Sequence, residues 1–178
     1  DHEASRPQYQ DRAEFYLGKV DMVCNVGTYL DSPFHRYRNG SDLSQIPLDK
    51  VAGVPGIVLD GKVEANRSIV LGEPSSELMG QAVLIRTGWD KRWGTGSYWE
   101  PGPYLSGESI NLLIRSRAVL VGVDFWNVDD TKDPSRPAHT KLLASRVLIV
   151  EHLCHLSDLP RSGFRFYAVP LRILGGAS

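Results

Sequence analysis

The sequence predicts one α/β domain built on a mixed sheet with helices between its strands. Short, near-continuous apolar runs at Ala82–Thr87, Ala118–Asp124 and Val147–Val150 have the pattern of strands covered on both faces. Segments of helical character, Ile110–Ser116 and Ala138–Leu143, stand between them, and this alternation builds layered α/β domains. The chain has 178 residues, 42% hydrophobic and 23% charged, enough for one sizeable core with an ordinary globular surface.

Residues 1–19 are polar and read as an N-terminal arm, with a short amphipathic piece around Ala13–Leu17; residues 20–178 form the domain. Val20–Val26 reads as a strand leading into a dense polar motif, Cys24 to His35, followed by the polar turn Arg36–Gly40. Ser41 or Asp42 caps a short helix that Pro47 stops, and Leu48–Val54 is a second short helix or turn. Gly56–Asp60 is rich in β-branched residues and reads as a strand closed by the Asp60-Gly61 turn, and Ser68–Leu71 is a further short strand. The run Ala82–Thr87 leads into a loop dense in glycine and aromatic residues, Trp89–Tyr104, which suits the rim of a pocket or an interface. After the strand Ala118–Asp124 come a proline-bearing loop at Asp130–Pro137, the helix and the strand Val147–Val150, which ends at Glu151. Leu156–Leu159 reads as a turn, Phe164–Pro170 alternates like a strand, and Leu171–Leu174 finishes the sheet.

Composition excludes several classes. With 20 basic and 21 acidic residues the net charge is −1, which argues against a nucleic-acid partner recognised through its phosphates. No apolar run is long enough to span a bilayer, and the acidic start carries no signal-peptide pattern. Two cysteines, Cys24 and Cys154, make no disulfide framework, so reduced thiols in a cytoplasmic protein are expected, with Cys24 a buried, inert one.

The motif Cys24-Asn25-Val26-Gly27-Thr28-Tyr29-Leu30-Asp31-Ser32-Pro33-Phe34-His35 gathers the groups that carry chemistry. Gly27 permits backbone angles that other residues avoid, and Pro33 stiffens the loop. Asp31, His139 and Glu151 fall at strand ends or adjoining loops and are ligand types that divalent cations take. His35, four residues past Asp31, suits general acid–base work near neutral pH. Taken singly, each of these residues is better explained by a structural role such as a cap or an ion pair. Strand alternation turns His152 away from Glu151, toward solvent or an interface.

The stretch Gly27–His35 resembles the His-x-Gly-Thr-His-x-Asp-x-Pro-x-His signature of the metal-dependent cyclase/hydrolase family, which includes bacterial kynurenine formamidase (arylformamidase) and isatin hydrolase. Ala82–Trp89 resembles the family's "vLirTGw" strand, Val121–Asp124 its "iGiD" strand, and His139–Glu151 its "Hk.LL…i.iiE" segment. The resemblance runs in order from about residue 20 to the end. It implies a barrel-like mixed sheet with flanking helices in a homodimer or homotetramer. It further implies hydrolysis of a small amide, lactam or lactone by water activated on a divalent metal, commonly Zn or Mn. By position it makes Asp31, His139 and Glu151 metal ligands and His35 the proton-moving group; apart from the resemblance, the phenol of Tyr29, close to His35, is a candidate catalytic residue that would orient a substrate carbonyl by hydrogen bonding.

Two positions depart from the signature. Asn25 stands where the family's first ligand histidine belongs, and Tyr29 where the second does. An amide oxygen is a poor zinc ligand, and a phenol binds only once deprotonated. Three readings stay open: one metal at Asp31, His139 and Glu151; a harder metal such as Mn or Mg with Tyr29 engaged; or a metal-free pocket that binds a small molecule or serves assembly.

Overall fold

The computed structural model describes residues 2–11, 13–72 and 76–178. Among them the strands are β1 (Tyr29–Asp31), β2 (Val54–Asp60), β3 (Lys62–Val63), β4 (Ser68–Val70), β5 (Ala82–Arg86), β6 (Tyr104–Leu105), β7 (Leu120–Val123), β8 (Leu148–Glu151) and β9 (Ser162–Phe166). The helices are α1 (His2–Ser5), α2 (Gly107–Arg115) and α3 (Pro137–Ala144), joined by single 3-10 turns. A six-stranded mixed sheet has the order β1-β8-β7-β5-β2-β9, and β3-β4-β6 form a small second sheet. β2, β5, β7 and β8 run parallel, while β1 and β9 pair antiparallel at the two ends.

Alternation along each strand divides the core into two layers. Ile57, Val83, Ile85, Val121, Val123 and Ile149 face α2 and α3, where Ile110, Leu113, Leu142 and Leu143 meet them. Val54, Val58, Ala82, Leu84, Leu120 and Val150 face the opposite layer with Leu30, Leu43 and Leu156. Both faces are covered, which is why these strands read as continuous apolar runs. α2 starts at Ser106, whose hydroxyl accepts from the Ser109 amide, and the buried Ser109 hydroxyl joins the helix to β4 through Ile69 and Leu71. At the far end of β7, Asp124 accepts from the amides of Thr87 and Gly88 and from the Thr87 hydroxyl, which locks the turn after β5.

The predicted single α/β unit with a mixed sheet and few helices is what forms. Several local expectations are corrected. Val20–Val26 is irregular and exposed. These residues lack a paired edge, and a β-prone sequence forms a strand only with a partner. Leu171–Leu174 adds nothing to the sheet, since β9 ends at Phe166 and the chain beyond it is irregular. Cys24 is exposed, not buried. The short helix after Asp42 is a 3-10 turn, Leu43–Gln45, closed by a capping box between Asp42 and Gln45. No helix among the described residues is long and apolar enough to cross a membrane.

Candidate metal centre

The site is built where β1 meets β8. Their antiparallel register sets Tyr29 opposite Glu151 and Asp31 opposite Ile149. Alternation sends Leu30 into one core layer and carries Tyr29, Asp31 and Glu151 to the other side, where α3 lies. Before β1, Gly27 turns the chain with φ +67°. After it, Ser32 and Pro33 open a 3-10 turn, Pro33–His35, that brings His35 back over Asp31. Gly40 closes this turn so tightly that a Cβ there would lie 2.6 Å from the Pro33 carbonyl. Arg36 donates to the Thr140 hydroxyl and the Ser135 carbonyl, and the Tyr37 hydroxyl donates to the Thr140 carbonyl. These bonds hold the motif against α3, which carries His139.

Four of the expected residues converge. His35 Nδ1 is 3.4 Å from Asp31 Oδ1, and His139 Nε2 is 3.5 Å from Asp31 Oδ2 and 3.8 Å from Glu151 Oε1. One donor atom each from Asp31, His35 and His139 falls within 4.8 Å of the others. Asp31 Oδ2 is fully buried and has no hydrogen-bond partner, since 3.5 Å is too long for a direct bond from His139. The other Asp31 oxygen accepts from the Ser178 hydroxyl at 2.7 Å. Glu151 is fully engaged: Oε1 accepts from the Val128 amide at 2.7 Å and Oε2 from the Tyr29 hydroxyl at 2.5 Å. An orphaned carboxylate oxygen facing an imidazole nitrogen, with a second imidazole alongside, is a donor set that fits a divalent cation.

Comparison with known proteins shows the family and the fold. The family profile described as putative cyclase matches residues 2–130. The chain belongs to the putative cyclase family. A kynurenine formamidase from Salinibacter ruber is 30% identical over 171 residues, covering 94% of this chain and 78% of that protein. A kynurenine formamidase from Erythrobacter litoralis is 29% identical, over 90% of this chain and 72% of that one. Isatin hydrolase A from Labrenzia aggregata, solved bound to benzyl benzoate, superposes with a TM-score of 0.73 at 24% identity, over 89% of this chain and 72% of that chain. A solved potential metal-dependent hydrolase with cyclase activity gives 0.69 at 24% identity, over 89% and 77% of the two chains. At such identities the superpositions speak for the fold.

The electrostatics of the site favour positive charge. Burial alone would lower the His139 pKa, but hydrogen bonding to Asp129, with Asp31 and Glu151 close by, pushes it up to about 10. Burial, and then the charge of Asp31, raise Glu151 above the ordinary carboxylate range. Burial, reinforced by Glu151, holds the Tyr29 phenol far above its ordinary value, so it stays a hydrogen-bond donor. Three carboxylates, of Asp31, Asp129 and Glu151, therefore crowd one buried imidazole, an environment that favours a cation. Asn25 is exposed on the irregular segment before β1.

Two groups at the site carry no signal in the sequence. His152 does not continue the alternation of β8: the strand stops at Glu151, and φ of +60° at His152 turns its ring back. The ring meets Tyr29 at 5.5 Å, Tyr98 at 5.7 Å, Trp93 at 5.9 Å and Trp99 at 6.0 Å between centroids, and the Tyr98 hydroxyl lies 2.8 Å from its Nδ1. The aromatic loop thus reaches the site through His152. Asp129, the second, lies against His139 with its carboxylate 2.6 Å from Nδ1. An acidic residue ten positions before a helical histidine carries no sequence signal, because the loop between them sets the distance.

Proposed function

We propose that this protein is a metal-dependent hydrolase of a small amide, lactam or lactone, with Asp31 and His139 as metal ligands, His35 beside them and Glu151 behind. The observation that carries this reading is Asp31 Oδ2, buried without a partner and 3.5 Å from His139 Nε2. A divalent cation held there would lower the pKa of a bound water and polarise a substrate carbonyl. The chain's residues supply the rest. His139 presents Nε2, and Asp31 supplies the carboxylate oxygen. His35, with its side chain 37% exposed, stands at the mouth and is placed to hold and deliver a proton at Nδ1. Tyr29 acts through Glu151, which its hydroxyl keeps in place. The rings of Trp93, Trp99 and His152 flank the site and suit a flat, aromatic substrate. The activities named for the kynurenine formamidases and isatin hydrolases support a C–N bond of an aryl amide or lactam as the target.

The test is uptake of Zn or Mn by purified protein, followed by assay on an N-formyl arylamine, a lactam and a lactone. Stoichiometric metal and a hydrolysis lost in His35→Ala are the expected results. Protein that takes up neither metal sinks the reading. It would favour the metal-free alternative, a small-molecule-binding or assembly role, which the exposed Asn25 and the engaged Tyr29 hydroxyl support. The free, exposed thiols of Cys24 and Cys154 support a reducing, cytoplasmic setting. The exposed apolar side chains of residues 15–26 and 167–174 support a homodimer or homotetramer.

A further inference from the structure

We infer that Asp129 is a positioning residue for the metal centre: its carboxylate fixes the ring of His139 so that Nε2, and not Nδ1, faces Asp31. The inference rests on the reading of His139 as a metal ligand.

Asp129 lies in the loop between β7 and α3, and its side chain is wholly buried. Pro137, in the first turn of α3, has no N–H to offer, and Arg136, at the N-cap position with φ +47°, makes no side-chain cap. The open amides of the first turn go to Asp129 instead. Oδ1 accepts from Ala138 N at 2.6 Å, and Oδ2 accepts from His139 N at 3.1 Å. The same Oδ2 lies 2.6 Å from His139 Nδ1. An ionised carboxylate has no proton to give, so the ring nitrogen facing it is the donor. That leaves Nε2 for the Asp31 side, where it lies 3.5 Å from Oδ2. One carboxylate thus sets both the backbone that carries His139 and the rotation and tautomer of its ring. The anchor is itself held: Asn127 Oδ1 accepts from Asp129 N at 2.9 Å and from Arg136 Nη1 at 3.1 Å. A carboxylate behind a ligating imidazole is the arrangement that orients metal-bound histidines and raises their basicity.

Asp129→Asn is the discriminating variant. Its amide oxygen, in the place of Oδ1, can still accept from Ala138, so the first turn of α3 keeps that cap. Its NH2 group, turned toward Nδ1, asks that nitrogen to accept and drives the proton to Nε2, where it blocks a ligand. The expected result is a folded protein with wild-type circular dichroism and a Co2+ affinity lower by about 10–100-fold. In the metal-free wild type, NMR of ring-labelled histidine should show a slowly exchanging, downfield Nδ1–H proton assigned to His139, absent in Asp129→Asn. Equal Co2+ affinity in the two proteins overturns the inference, and so does a wild-type His139 with no Nδ1–H. The second measurement uses the wild type alone, so it decides the matter even where the variant does not fold. Wild-type protein that binds no Co2+ overturns the hydrolase reading, while the ring proton still decides the Asp129 contact.

Discussion

Asp31 carries the sharpest expectation at the scale of single residues. It accepts one bond from Ser178 and leaves Oδ2 buried without a protein partner. Asp31→Asn keeps the size of the side chain and removes its charge, so it should leave the fold intact and abolish stoichiometric metal uptake, as measured by metal analysis after dialysis. Tyr29 is tested by removal of one oxygen. Tyr29→Phe leaves Glu151 Oε2 buried with no donor, where the parent has a 2.5 Å bond. The expected cost is about 1–3 kcal/mol in denaturant unfolding of the metal-free protein. A variant as stable as the parent would mean that water replaces the phenol.

Two carboxylates outside the site tie elements together. Asp124 joins the end of β7 to the turn after β5 by accepting from Thr87 N, Thr87 Oγ1 and Gly88 N. Asp124→Ala strands these donors and should cost about 1–3 kcal/mol, read as a lower denaturant midpoint with an unchanged slope. Asp42 caps the 3-10 turn Leu43–Gln45 and accepts from Gly175 N at 2.7 Å, which fastens the segment that brings Ser178 to Asp31. Hydrogen bonds from Ser44 and then Gly175 hold its carboxyl below the ordinary 3.8. A carboxyl lowered by folding stabilises the native state at pH values above its unfolded pKa, and this contribution disappears as pH falls through the lowered folded pKa. Asp42→Asn should therefore be less stable than the parent at pH 6, and the difference should shrink on acidification below pH ~4. A pH-independent difference would assign the effect to shape instead of charge.

At the scale of the molecule, two irregular segments on one face leave apolar side chains in water. Leu17, Val20, Leu171 and Leu174 are each at least 75% exposed. An open cavity of about 580 Å3 lies between these segments, with Val20, Met22, Val169 and Leu171 on its walls and Tyr29 and Ser178 at the site end. Such a surface is costly for a monomer. Light scattering should return a mass of two or four chains, and Leu171→Asp with Leu174→Asp should lower it. A monomeric parent would rule out the homo-oligomer.

The sheet was legible in the sequence because burial on both faces writes itself locally: Ala82–Thr87, Ala118–Asp124 and Val147–Val150 are apolar at consecutive positions wherever the chain leads next. The cluster was legible too, since Asp31, His35, His139 and Glu151 stand at positions of the family resemblance and lie close together in the fold. Partnership was not. Val20–Val26 and Leu171–Leu174 are as β-prone as true strands, and they stay irregular because a strand exists only when a second edge satisfies its backbone. The same holds at the site. Tyr29 meets Glu151 through the β1–β8 register, His152 turns inward because its backbone leaves the strand at φ +60°, and Asp129 reaches His139 because a loop folds back onto the first turn of α3. Local burial and residue chemistry are properties of neighbouring positions and can be read along the chain. Register, ring orientation and the pairing of buried charges depend on residues brought together from far apart, and only the folded molecule sets those distances.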